Sequence, residues 1–124
     1  MKTPKPINII DKFSLFEDKW NPKIVGEVNG QYVKVCKFKD DFVWHNHQHE
    51  DELFIVFRGT LLIDFRNGST TKVKEGEILV VPKGLDHRPY TNGEIVYILL
   101  IEPSTTLNTG DANNRFTVKN LEWI

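Results

Sequence analysis

Asn-Gly occurs three times, at Asn29-Gly30, Asn67-Gly68 and Asn92-Gly93, each time between short runs rich in β-branched and aromatic residues. The dipeptide suits the positive φ angles of two-residue type I′ turns, so three β-hairpins are predicted. The flanking runs cover residues 23–28, 32–38, 42–45, 53–58, 60–65, 70–73, 78–81 and 95–101. So many short strands in 124 residues point to one all-β domain with one core. In residues 53–57 and 95–101 both parities are apolar, which predicts strands covered on both faces. A closed antiparallel barrel or a two-sheet jelly roll accommodates such strands without long free edges.

Only one segment reads as helix. Ile9, Phe13, Phe16 and Trp20 recur at i, i+4, i+7 and i+11, after a possible Asn8 cap and before the Asn21-Pro22 stop. This stripe is expected to pack on the barrel from outside. Residues 1–22 are therefore read as an N-terminal arm, 23–102 as the barrel and 103–124 as a tail. The tail crosses a long polar stretch and docks again through residues 116–124, which include Trp123. Sixteen basic against seventeen acidic residues leave a net charge of −1, without the cationic excess that nucleic acid attracts. The longest apolar run, residues 95–101, is far short of the roughly 20 needed to span a bilayer as a helix. The basic N-terminus is interrupted by Asn8, Asp11 and Lys12, which spoils a secretory signal, so a cytoplasmic location is expected. Cys36 is the single cysteine, which excludes an intramolecular disulfide and a thiolate zinc cluster.

Three of the four histidines fall within five residues, His45-Asn46-His47-Gln48-His49, followed by Glu50, Asp51 and Glu52. On a strand, residues i and i+2 share a face about 6–7 Å apart, which lets His45 and His47 approach one ion from adjacent directions. Imidazole is the commonest protein ligand for first-row metals, and a carboxylate offsets the charge of a dication. Glu52 has the right chemistry at the start of the next apolar strand. The alternative is a solvated polar loop whose histidines titrate freely.

Two longer patterns surround these residues. His45-x-His47-x4-Glu52-x6-Gly59 and Gly76-x5-Pro82-x-Gly84-x2-His87 resemble the paired signatures of the cupin superfamily, with every internal spacing matched. The sequence is most similar to the small single-domain cupins. The resemblance implies an antiparallel cupin-type β-barrel, a double-stranded β-helix or jelly roll, carrying here a short N-terminal helix. It also implies that His45, His47, Glu52 and His87 hold one divalent transition metal (Fe, Mn, Ni, Cu or Zn), with His49 spare. A set of His47, His49, Glu52 and His87 is the alternative. Two positions depart from the pattern: Lys39 stands where a glycine is usual, and Thr91 where an asparagine is usual. Both concern turns and not ligands.

Parity from Glu52 turns Phe54 and Val56 towards the interior, giving an apolar pocket around a polar centre. His49, Glu50 and Asp51 are candidate proton-transfer groups, and Tyr32, Tyr90, Tyr97 and Arg88 are candidate hydrogen-bonding groups, each with a structural role as its alternative. The expected function is a metal-dependent enzyme, an oxygenase, isomerase or lyase, acting on a small carbonyl, hydroxy-acid or sugar-like compound. A non-catalytic module that binds a metal or a small ligand is the alternative. The partners expected are a small-molecule ligand and a second copy of the chain, with no nucleic acid and no membrane. The homodimer follows from Leu53, Ile55 and Phe57, whose apolar face either meets another subunit or lies beneath the N-terminal helix.

Overall fold

A computed structural model describes residues 2–124. After a one-turn helix α1 (Ile9–Phe13), the strands are β1 (Lys23–Val28), β2 (Gln31–Phe38), β3 (Glu52–Arg58), β4 (Leu61–Phe65), β5 (Thr70–Val73), β6 (Ile78–Val81), β7 (His87–Tyr90), β8 (Val96–Pro103) and β9 (Glu122–Trp123). They form a six-stranded sheet in the order β6-β3-β8-β2-β1-β9 and a three-stranded sheet in the order β5-β4-β7. Every pairing is antiparallel except that of β9 with β1. The predicted strand over residues 42–45 is present only as bridges that pair Asp41 with Tyr90 and His45 with His87, laying this segment along the free edge of β7.

Alternation along β3 and β8 sorts their side chains between two clusters. Phe54 and Val56, with Val96, Ile98 and Leu100, point between the sheets and meet Leu61, Ile63, Val73 and Val81. The inward parity predicted for Phe54 and Val56 is observed. On the opposite face of the six-stranded sheet, Phe13 and Phe16 cover Val25, Val35, Phe57, Tyr97 and Leu99. Phe13 stacks on Tyr97 with ring centroids 4.5 Å apart.

The predicted helix is cut short for a reason of topology. Asn8 caps it as expected, its side chain accepting from the Asp11 N–H at 3.0 Å. The helix ends at Phe13, because Phe16 stays outside the sheet whereas Trp20 crosses to the barrel interior. One face of one helix cannot serve both sides of a sheet. The chain uncoils and turns at Trp20 (φ 60), whose indole stacks on Phe38 and Phe42 at 4.3 and 4.5 Å.

Of the three Asn-Gly turns, Asn29-Gly30 has both φ angles positive and joins β1 to β2 as predicted. Asn67-Gly68 also closes a hairpin, between β4 and β5, but Asn67 keeps a negative φ and the Gly68 N–H donates to the Phe65 carbonyl. That is the longer hairpin loop with glycine in its left-handed position. Asn92-Gly93 makes no hairpin: it carries the chain from β7 in one sheet to β8 in the other. The tail docks through Phe116 and Ile124, while Trp123 remains half exposed with its ring edge-on to Tyr32. Among the described residues no helix is long and apolar enough to cross a membrane.

Candidate metal centre

His45, His47, Glu52 and His87 converge between the two sheets, all buried, with one ligand atom from each lying within 4.8 Å of every other. Glu52 is the first residue of β3 and His87 the first of β7, so the two come from opposite sheets. The bridge between His45 and His87 is closed by both backbone hydrogen bonds, at 3.0 and 2.9 Å, and sets their rings 4.4 Å apart. His47 sits in the following loop, which is held by the Gly84 N–H donating to the His47 carbonyl at 2.8 Å. Ligand atoms about 2.1 Å from a shared ion stand roughly 3 Å apart at right angles and 4 Å apart when opposite, close to the observed span.

The hydrogen bonds around the group determine what it presents. His45 Nδ1 lies 2.9 Å from the Val43 carbonyl and His87 Nδ1 lies 2.9 Å from the Leu85 carbonyl. A carbonyl only accepts, so each Nδ1 carries the hydrogen and each Nε2 directs a lone pair into the centre, the arrangement that orients metal-bound imidazoles. His87 Nε2 is 3.1 Å from Glu52 Oε1, and His47 Nε2 is 3.1 Å from Glu52 Oε2 without well-formed hydrogen-bond geometry. Lone pairs facing a carboxylate at that separation require a positive charge between them, either a proton or a cation. The donor set fits a divalent ion.

The electrostatics agree. Burial holds the His45 imidazole down to about 4, against the attraction of Glu52. For His47 burial pulls the same way, but the adjacent Glu52 carboxylate prevails and raises it. Burial alone would raise Glu52, yet His47 and His87 hold it well below the usual carboxylate range. At neutral pH the centre therefore offers an anionic carboxylate and at least one neutral imidazole.

Beside the centre lies a narrow cavity lined by His45 and Glu52, by the aromatic rings of Trp20, Phe38, Phe42 and Phe54, and by Cys36, Asn108 and Glu102. The thiol of Cys36 is pushed up by burial, so it behaves as an apolar wall and not as a nucleophile. The tail segment 104–117 lies against the loop that carries His45 and His47. There the Asp111 side chain accepts from the Asn46 N–H at 2.9 Å, and the Asp111 N–H donates back to the Asn46 carbonyl at 3.0 Å.

The other residues singled out from the sequence lie elsewhere. His49 and Asp51 are exposed; Asp51 accepts from the Lys83 N–H, and His49 is outside the converging group. Glu50 is half-buried at the rim, in a groove beside the barrel mouth. Tyr97 packs under Phe13, Arg88 pairs with Asp64 at 2.8 Å, and neither lines the cavity; nor do Tyr32 and Tyr90. The two departures in the turns are accommodated locally. The left-handed residue at the first turn is Asp40 (φ 63), next to Lys39, and Thr91 bonds the Asp40 N–H and the Glu94 carbonyl through its hydroxyl. Sequence reasoning missed Lys34 and Glu102, which form an ion pair of 3.0 Å inside the barrel. The parity of Val96, Ile98 and Leu100 runs on to Glu102, and that of Cys36 and Phe38 runs back to Lys34, so alternation was the available signal.

Comparison with known proteins agrees with this geometry. Residues 37–102 match a family model described as the cupin domain. A cupin-2 domain containing protein from Shewanella frigidimarina is 44% identical and superposes with a TM-score of 0.76, over 78% of this chain and 93% of that one. A Klebsiella pneumoniae protein with a double-stranded β-helix domain, 21% identical, shares the fold over 90% of this chain and 95% of its own, with a TM-score of 0.64. The Bacillus subtilis protein YdbB is 44% identical over 64 residues, 52% of this chain, and the match spans 57% of YdbB.

Proposed function

The chain belongs to the cupin domain family, and from that premise we propose that it is a metal-dependent enzyme acting on a small carbonyl, hydroxy-acid or sugar-like compound. His45, His47, Glu52 and His87 would hold one divalent ion of Fe, Mn, Ni, Cu or Zn. The observation that carries this reading is the commitment of both His45 Nδ1 and His87 Nδ1 to backbone carbonyls, in a group whose four ligand atoms lie within 4.8 Å of one another. An ion bound there supplies Lewis acidity towards an oxygen-bearing ligand. The chain's own part is to present imidazole nitrogens, to counter the ion's charge with Glu52, and to exclude bulk water with Trp20, Phe38, Phe42 and Phe54. A low-polarity wall strengthens every electrostatic interaction inside it.

Elemental analysis of untagged protein, followed by turnover assays of the loaded protein on a panel of such compounds, tests the proposal. One ion per chain and turnover of at least one compound are expected. His47→Ala or His87→Ala should abolish tight binding, and His49→Ala should leave it within about threefold. Equal loss from all four histidine changes would refute the ligand set, and one bound ion without turnover would favour a binding module.

We further propose a homodimer through the outer face of β6, β3 and β8. The N-terminal arm covers Phe57, Tyr97 and Leu99 of the outer surface, whereas Ile78 and Val80 are more than half exposed beside Ile55 and Leu53. An apolar, uncharged stripe of this kind is self-complementary across a two-fold axis.

A further inference from the structure

His45, His47, Glu52 and His87 are all buried, and the cavity beside His45 and Glu52 has a free volume of about 20 Å³. That space takes one water molecule. A carbonyl compound, hydroxy acid or sugar has several heavy atoms and does not fit, so it reaches the centre only if a wall of the cavity moves. Most of the walls are fixed. Cys36, Phe38, Phe54 and Leu100, like the polar Glu52 and Glu102, stand in β2, β3 and β8 of the six-stranded sheet. His45 and Phe42 are held to β7 by backbone hydrogen bonds with His87 and Pro89, and the Trp20 N–H donates to the Lys37 carbonyl at 2.9 Å. Asn108, the remaining polar group in the lining, differs: it comes from residues 104–121, which contain no strand.

This segment is bound to itself more than to the barrel. Asn108 Nδ2 donates to the Phe116 carbonyl at 2.7 Å, and Asn108 Oδ1 accepts from the Val118 N–H at 2.9 Å. Thr109 Oγ1 donates to the Ala112 carbonyl at 2.7 Å. Its ends are anchored by β8 before it and by the pairing of β9 with β1 after it. A compact loop with internal bonds and anchored ends is a unit that opens without unfolding the domain. Its grip on the barrel is local. Asp111 exchanges hydrogen bonds with the Asn46 backbone, Asn108 Nδ2 reaches the Trp20 carbonyl at 3.4 Å, and the Phe116 ring meets Phe42 with centroids 5.3 Å apart. A groove of about 290 Å³ lies between this segment, at Leu107 and Asp111, and the loop, at His47 and Glu50. It gives an incoming compound a place beside the segment's edge.

We propose that residues 105–117 are a lid that swings off the barrel to admit an organic ligand to the metal centre, with Asp111 on Asn46 as its latch. This rests on the metal-centred reading above and adds the route of access to it. Closed, the lid leaves a water-sized space. Lifted, it takes Asn108 out of the cavity wall and uncovers His45, against which Gly110 packs.

Two measurements test it, the first independent of any metal chemistry. In amide exchange on the full chain as purified, the Asp111 and Asn46 N–H groups, which bond across the lid's edge, should share one protection factor. It should be about a hundredfold or more below that of the Val56 N–H, which bonds the Glu77 carbonyl inside the sheet. If the two amides exchange only as slowly as Val56, the lid does not open on its own and the inference is overturned while the metal centre stands. The second measurement follows 2-hydroxypropanoate entering cobalt(II)-loaded protein by the visible spectrum of the metal. The double variant Asn46→Cys with Asp111→Cys, once oxidised, ties the lid to the loop; Cys36 is buried and does not compete. The oxidised form should take up the acid about tenfold or more slower than wild type and recover on reduction with a phosphine, whereas equal rates in the two forms overturn the lid. Should the disulfide not form, Asp111→Ala decides. Uptake about tenfold faster, the size of one lost bond to a carboxylate, supports the latch, and an unchanged rate overturns it. If no form responds to the acid, the open metal centre falls and this inference with it, even where amide exchange shows the segment to open.

Discussion

Gly110 is the point at which the tail meets the loop carrying His45 and His47, and its replacement by alanine gives the sharpest test of how that loop is held. Gly110 has φ +54, and a Cβ built on it would lie 2.2 Å from the Asn46 carbonyl oxygen and 3.1 Å from His45 Cδ2. An ordinary carbon–oxygen contact is above 3 Å, so backbone must move by roughly 1 Å. The left-handed conformation costs alanine about 1–2 kcal/mol. The displacement also breaks the two hydrogen bonds that the Asn46 backbone makes with Asp111, one of them to a carboxylate, together worth about 2–4 kcal/mol. Gly110→Ala should thus cost on the order of 3–6 kcal/mol, or release the tail locally if docking of the tail is worth less than that. Gly68→Ala is the control: its φ is +87, but no heavy atom lies within 4 Å, so only the conformational cost of about 1–2 kcal/mol applies. Urea unfolding of both variants, with amide exchange of Asn46 and zinc affinity measured alongside, separates the outcomes. Global loss appears in the urea midpoint; local release appears as lost Asn46 protection and weaker zinc binding through the displaced His45. If Gly110→Ala matches Gly68→Ala in stability, Asn46 protection and zinc affinity, the tail does not brace the loop carrying His45 and His47 and the argument fails.

Trp20→Ala should destabilise by about 3–5 kcal/mol, because it removes a ring stacked between Phe38 and Phe42; a urea midpoint near wild type would contradict the inward placement of Trp20. Val80→Lys, on the exposed outer face, should convert a dimer to a monomer in sedimentation at micromolar concentration with little change in protomer unfolding, whereas a monomeric wild type would remove the dimer. Metal-free protein should lose about 2 kcal/mol between pH 7 and pH 5 through His45. Its folded value near 4 is below the ordinary 6.5, so in this window the unfolded chain takes up a proton that the folded chain refuses, and stability falls with pH. His47 is raised instead, so its contribution is fully present below 6.5 and adds no slope of the same sign there. Urea midpoints of His45→Gln at the two pH values should therefore show a flatter dependence than wild type, and an equal slope would rule out His45 as the source.

What was legible in the sequence and what was not divide along a physical line. Local patterns carried the strands, the Asn8 cap, the Asn29-Gly30 turn and the inward parity of Phe54 and Val56, because each depends on neighbours within a few residues. The converging residues His45, His47, Glu52 and His87 were legible because two motifs of fixed spacing hold them, and spacing survives without knowledge of the fold. The uncoiling after Phe13 was not legible. A stripe of Ile9, Phe13, Phe16 and Trp20 looks like one helical face, and only the path over the barrel end shows that Trp20 belongs to the opposite side of the sheet. The sheet change after Asn92-Gly93 is hidden for the same reason, since a glycine turn looks alike whether its strands pair or part.

Lys34 and Glu102 show where local reading stops and topology begins. Each closes a run of alternating inward residues, Lys34 within β2 and Glu102 near the end of β8, and a lysine or glutamate there is ordinarily solvated. It is the order β3-β8-β2 that places Glu52, Glu102 and Lys34 on three consecutive strands, and the antiparallel register that sets Glu102 beside Glu52 and one inward step from Lys34, which lies opposite Leu100. The same two carboxylates then take different environments from their neighbours. Glu52, facing two imidazoles, is held low, while burial and the charge of Glu52 push Glu102 up to about 8 against the pull of Lys34. Register thus turns two acidic residues 50 positions apart in the chain into groups of different chemistry beside one cavity, one held anionic by its imidazoles and the other held towards its neutral form by burial.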